Sequence, residues 1–163
     1  MSPLWTYFWP VFAIGIALGL VGGMIGFRTK RRWIWAVAVL IALGATALWH
    51  GPIGAADRFT RSVEATARDS LVSYEMDQVT ARLHKAPLTR RLMLSGQADD
   101  FQRSELVRIL DEVPGVSGAT WARSGGMPLL LEAGIVAVVG FLAGLILAYV
   151  ITLRRRYNAQ WRW

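Results

Sequence analysis

Residues 128–153 read PLLLEAGIVAVVGFLAGLILAYVITL and run straight into Arg154, Arg155 and Arg156. The single charge in this stretch is Glu132, close to the beginning. Crossing the hydrocarbon core of a bilayer takes roughly 20 apolar residues at about 1.5 Å of rise each. The run meets that length, and the arginines behind it mark where it ends. Two further stretches carry no charge, Leu4–Phe27 and Trp33–Trp49. The second is short, but Trp and Arg side chains at its ends extend its reach into the headgroup zone. The sequence therefore predicts three transmembrane helices, at about 4–27, 33–49 and 128 onward. They give a hairpin in residues 1–50, a polar segment at 51–127, and a final span with a basic tail in 128–163. Three buried helices of a soluble fold are the alternative. With 54% hydrophobic residues and a mean hydropathy of +0.37, too little polar chain remains to cover them.

Charge orients the spans. Arg28, Lys30, Arg31 and Arg32 lie between the first two runs, in the 28–32 loop. Arg154, Arg155, Arg156 and Arg162 lie behind the third, and neither place holds an acid. The 51–127 segment balances ten basic against ten acidic residues, so the net charge of +7 belongs to the two basic clusters less Glu132. Loops rich in Lys and Arg stay cytoplasmic. The expected topology has the N-terminus and residues 51–127 outside, and the 28–32 loop and C-terminus inside. In a bacterium that is the inner membrane with a periplasmic domain. The clusters also attract anionic headgroups, and their placement argues against nucleic-acid binding. Trp5, Tyr7, Trp9 and Trp49 fall at the outer interface, and Trp33, Trp35, Tyr157, Trp161 and Trp163 at the inner one. Trp5 and Trp9 alternatively dock on a partner. The first run lacks the leading basic stretch of a signal peptide and reads as a retained helix.

Small residues recur every fourth position in each run: Gly15, Gly19 and Gly23; Ala38, Ala42 and Thr46; Gly140, Gly144 and Ala148. Such stripes let helix backbones approach closely where lipid gives no hydrophobic drive. Part of this packing must be internal, and a remaining stripe would serve a partner subunit.

The polar segment reads as an α/β unit. Asp57 is placed to cap a helix with Phe59, Val63, Ala67 and Leu71 on one face. Strands follow at Val79–Leu83 and Arg91–Leu94, separated by the break Lys85-Ala86-Pro87. Asp99 caps a second helix, with Gln102 completing a capping box and Phe101, Leu106, Ile109, Leu110 and Val113 as the apolar face. Pro114-Gly115 stops it, Val116–Trp121 forms a third strand, and Ser124-Gly125-Gly126 links to the last span.

The run from Leu92 through Leu94-Ser95-Gly96 to Ala98, the acid-capped helix, and then Val113-Pro114-Gly115-Val116 resemble a BON domain over roughly residues 63–121. That family has a small αββαβ fold found in bacterial periplasmic and outer-membrane proteins. The resemblance implies binding to phospholipid surfaces or docking of proteins, with no shared catalytic set. Some relatives join the module to a peptidoglycan-binding domain; here a hydrophobic run flanks it on either side instead.

Motifs for chemistry are sparse. Without cysteine there is no disulfide, thiolate metal site or thiol nucleophile. His50 at the end of the second run is a candidate haem or chlorophyll ligand, its plainer reading being an interfacial polar residue; His84 has no acidic spacing around it. Ser95 lacks the preceding Gly of a nucleophile elbow. Glu132 is a functional candidate as an acid within a span, or else reaches the headgroups. The expectation is a membrane α-helical protein with a small α/β extramembrane domain, and no enzyme. It would serve as an accessory subunit of a respiratory or photosynthetic inner-membrane complex, with other integral subunits and membrane lipids as partners. No intrinsic cofactor or metal is expected, and pigment or haem would be met only through a partner. The alternative is a freestanding envelope protein whose BON-like domain binds phospholipid or periplasmic partners.

Overall fold

An apolar run of this length satisfies its own backbone by coiling, and all three runs are helical. The computed structural model describes residues 2–31, 33–122 and 125–160. The elements are α1 (Pro3–Thr29), α2 (Trp33–His50), α3 (Ala55–Ser73), β1 (Val79–Lys85), β2 (Leu88–Gly96), α4 (Asp100–Asp111), β3 (Gly118–Thr120) and α5 (Leu129–Gln160). By length and composition α1, α2 and α5 are each able to cross a membrane. The chain divides into two compact units. One joins Met1–Tyr7 to Gly54–Glu132, and the other joins Phe8–Ile53 to Ala133–Trp163.

In the second unit, glycines let α1 and α5 meet backbone to backbone. A methyl group built on Gly15 would strike the Ala137 carbonyl, and one on Gly19 the Phe141 carbonyl. The fit is reciprocal: a methyl on Gly140 would come within 2.5 Å of the Phe12 carbonyl, and one on Gly144 would strike that of Ile16. Further along, positions Gly23 and Ala148 face each other at 2.7 Å, measured from a methyl built on the glycine. α2 packs through Ala38, whose Cβ lies 2.8 Å from a methyl built on Gly22. Ala42 and Thr46 are buried as well, and the Thr46 hydroxyl donates to the Ala42 carbonyl (2.8 Å). All three small-residue stripes thus lie buried within this chain.

The first unit is a three-stranded sheet in the order β1-β2-β3. β1 and β2 form an antiparallel hairpin with Leu83 opposite Leu92 and Ala81 opposite Leu94; β3 runs parallel to β2, Gly118 opposite Arg91. Period-two alternation puts Leu83, Leu92 and Leu94 on one face. There they meet Phe59, Val63, Ala67 and Leu71 of α3 and Leu106, Leu110 and Val113 around α4 as the buried core. Tyr7 at the start of α1 belongs to this unit, its ring 5.6 Å from that of Phe59.

Local chemistry explains most boundaries. Asp99 caps α4: its carboxylate accepts from the Gln102 amide (2.7 Å), and the Gln102 side chain accepts from the Asp99 amide (3.0 Å). Losing the carboxylate half of this box costs roughly 1 kcal/mol, while the backbone amide of residue 99 keeps its bond to Gln102. Asp99→Ala should therefore lower the thermal midpoint of unfolding by a few degrees, and an unchanged midpoint would show that α4 does not need its cap.

Several sequence expectations shift. α3 is capped not by Asp57 but by Gly54 (φ +74°), two residues before Ala56; Asp57 lies in the first turn, where its charge suits the helix dipole. Phe101 is not part of the core face but 73% exposed. β2 begins earlier than Arg91, at Leu88, because only Ala86 and Pro87 separate it from β1. β3 is shorter than Val116–Trp121 because its ladder with β2 extends only from Gly118 to Thr120. Arg28 is helical rather than in the loop, since α1 runs to Thr29, and α5 continues through Arg154–Arg156 to Gln160. Arg32, Ser124, Trp161, Arg162 and Trp163 lie outside the described residues.

Candidate functional site

Two features of the first unit have the shape of a binding site, the open edge of β1 and the groove beside it. β1 pairs on one side only. The Leu83 amide donates to the Glu64 carboxylate of α3 (3.0 Å), and the Val79 amide donates to the Met76 carbonyl (3.0 Å). Alternate residues of an antiparallel strand turn their amides the same way, so Ala81, between them, also points its amide away from β2. Glu64 covers one end of the edge and Met76 the other, with Ala81 at the centre. The groove there holds about 740 Å³ and is lined by Glu64, Arg68, Asp69, Asp77 and Arg82 around the apolar Leu71, Val72 and Val79. Mixed charge about an extended backbone edge is chemistry suited to an extended peptide, whose main chain adds to the sheet while its side chains meet charges of both signs.

The residues that carry the BON-like resemblance lie in the core, in the hairpin and at two turns of this unit. Leu94 and Val113 are buried, and Val116 closes a turn through its amide to the Val113 carbonyl (3.0 Å). The Ser95 hydroxyl bonds that of Thr80 across the hairpin (2.8 Å). Gly96 (φ +137°) and Gly115 (φ +109°) occupy the left-handed region that favours glycine, with exposed Pro114 leading into the second turn. A methyl group on Gly115 would also come within 2.8 Å of Val63.

His50 ends α2 and is half-buried. His84 is half-buried, its Nδ1 2.8 Å from the Pro87 carbonyl, which it satisfies by donating. Among the described residues no group of three His, Asp or Glu side chains is gathered to hold a metal ion. Glu132 lies 2.8 Å from the Arg90 guanidinium. The Arg90 Nε–H is not aimed at the carboxylate, so the contact is an ion pair rather than a well-aligned hydrogen bond. Beside it, Thr89 bridges to Pro128. On α4, Arg103 lies over the Trp121 ring (5.3 Å to its centre) while the Trp121 indole donates to the Arg103 carbonyl. Glu105 bonds Arg108 (2.8 Å) and raises the guanidinium's pKa, at an exposed position where such pairs contribute little.

Sequence spacing did not bring out the Arg90–Glu132 pair or the Glu64 contact. Their partners lie far apart in the chain, and the only signal was an acid left over next to an apolar run. Of the basic clusters, Arg28 and Lys30 gather with Arg155 and Arg156 around a cavity at one end of α1 and α5, while Arg31 is exposed beyond α1. Comparison with protein-family models, with curated proteins and with solved structures finds no match to this chain.

Proposed function

We propose that this chain is a non-catalytic accessory subunit of a bacterial inner-membrane complex, anchored by α1, α2 and α5 and docking a partner through its polar unit. The positive-inside distribution of Lys and Arg supports a periplasmic polar unit and a cytoplasmic C-terminus. The BON-like run from Leu92 to Val116 supports a docking role. The observation that carries the reading is the outward-facing edge of β1 at Ala81, beside a groove of mixed charge. A phospholipid surface presents no strand to add there, whereas a polypeptide does. Lipids, and pigment or haem held by a partner, are then contacts of the assembly rather than cofactors of this chain.

Purification of the full chain in mild detergent by a C-terminal tag, followed by mass spectrometry, tests this. Stoichiometric recovery of other integral subunits is expected; recovery of the chain with lipid alone would favour the freestanding envelope protein instead. Ala81→Pro sharpens the test. Proline is tolerated where its missing amide faces away from the ladder, so the β1–β2 hairpin should survive while partner recovery falls by roughly tenfold, the loss expected from one or two main-chain hydrogen bonds. Unchanged recovery would remove the strand edge from the interface.

A further inference from the structure

The chain's acids all lie between Asp57 and Glu132. The unit formed by Phe8–Ile53 and Ala133–Trp163 therefore has no acidic side chain to neutralise its cations. Four of those cations are gathered about one cavity of about 760 Å³. Met24, Ile25, Phe27, Arg28 and Thr29 line it from α1 with Lys30 just beyond, and Ile151, Thr152, Arg155 and Arg156 line it from α5. None of the four cations makes an ion pair among the described residues. Lys30 holds a left-handed backbone conformation (φ +58°), which ends α1 beside the cavity.

We propose that this cavity binds the phosphate of an anionic glycerophospholipid. The inference rests on the reading that α1 and α5 span a membrane. The lining has two chemistries in one place, as the ligand does. The cations meet the phosphate oxygens, and Ile25, Phe27 and Ile151 meet the first carbons of the acyl chains. The hydroxyls of Thr29 and Thr152 already donate to the Ile25 and Ala148 carbonyls (2.9 and 2.8 Å), so the charged side chains carry the recognition. A free phosphate would use the cations and leave the apolar wall uncovered. Basic pockets between membrane helices take anionic headgroups for this reason.

Native mass spectrometry of the full chain in detergent tests the site, after alkaline carbonate washing has established that the chain stays with membranes; release at that step would fail the membrane reading itself. With phosphatidylglycerol or phosphatidylcholine added at equal concentration, retention of the anionic lipid is expected to exceed that of the zwitterionic one by about tenfold. Arg155→Gln combined with Arg156→Gln should abolish the preference. Arg154→Gln, next in the chain but outside the cavity lining, should keep it. Equal retention of both lipids, full preference in the double variant with an unaltered circular dichroism spectrum, or loss in Arg154→Gln to the same degree would each overturn the proposal. Displacement of the lipid by millimolar inorganic phosphate would also overturn it, by showing that the site selects the ion rather than the lipid.

Discussion

Gly19→Val is expected to separate α1 from α5 and to cost about 3 kcal/mol of stability, the upper part of the range for overpacking a close-packed contact. The reason is what the new side chain would meet. At Gly19 the first added carbon collides with the carbonyl oxygen and Cα of Phe141, which are backbone atoms inside a helix and have no rotamer to change. Even alanine does not fit without moving one helix bodily. Interaction between membrane helices comes from van der Waals packing, so added separation forfeits contact along the whole seam, from Gly15 to Gly144. Gly44→Ala is the control: nothing lies within 4 Å of a methyl group there, and alanine is the better helix former. Denaturant titration in detergent, followed by circular dichroism, should show an early transition for Gly19→Val and an unchanged or later one for Gly44→Ala. Equal midpoints would mean that the seam does not hold the unit. A substitution in this stripe that lowers the yield of a complex does so first by damaging the chain itself.

Glu132→Leu is the second large effect, expected at about 2 kcal/mol. Removing one member of a buried ion pair costs 3–5 kcal/mol because the other charge is left without compensation. Here the two side chains keep 23% and 20% of their exposure, and solvent reduces the loss. Arg90→Met should cost a similar amount. The double variant is the informative one, since replacing both charges with apolar groups of similar size removes the desolvation penalty together with the attraction. It should recover most of the stability, giving a coupling energy of at least 1 kcal/mol in a thermal double-mutant cycle. Additive losses would show that the two residues act separately, with Glu132 favouring the first turn of α5 through its dipole.

How much of this was legible in the sequence depended on the range of the interaction. The α4 cap was readable because Asp99 and Gln102 are three residues apart and their bonds are local. The apolar stretches of α1, α2 and α5 were readable because absence of charge is itself a pattern of one segment, whereas the charged ends of α1 and α5, Arg28 and Arg154–Arg156, were not. The Gly96 and Gly115 turns followed from residue type, since few others hold a positive φ. What was not legible required pairing. The stripe on α1 looks the same whether it meets α5 or another protein, and only the fold turns Gly15 and Gly19 onto Ala137 and Phe141. The pairing of Arg90 with Glu132 needs the chain path that bridges Thr89 to Pro128. The Asp57 side chain suits a cap, yet Gly54 holds the left-handed position and begins α3 earlier without any side-chain bond. For the candidate binding edge, periodicity located β1, but that its Ala81 amide faces outward depends on which side β2 takes.

The seam between α1 and α5 also sets an order of events in biosynthesis. The ribosome makes α1 first and α5 last, with α2, α3, α4 and the three strands in between. Until α5 is made, the groove along Gly15 and Gly19 has no matching backbone to fill it. A chain interrupted before Leu129 would keep that groove open. The close backbone contact along Gly15 and Gly19 is therefore complete only once the last helix of the chain has been made.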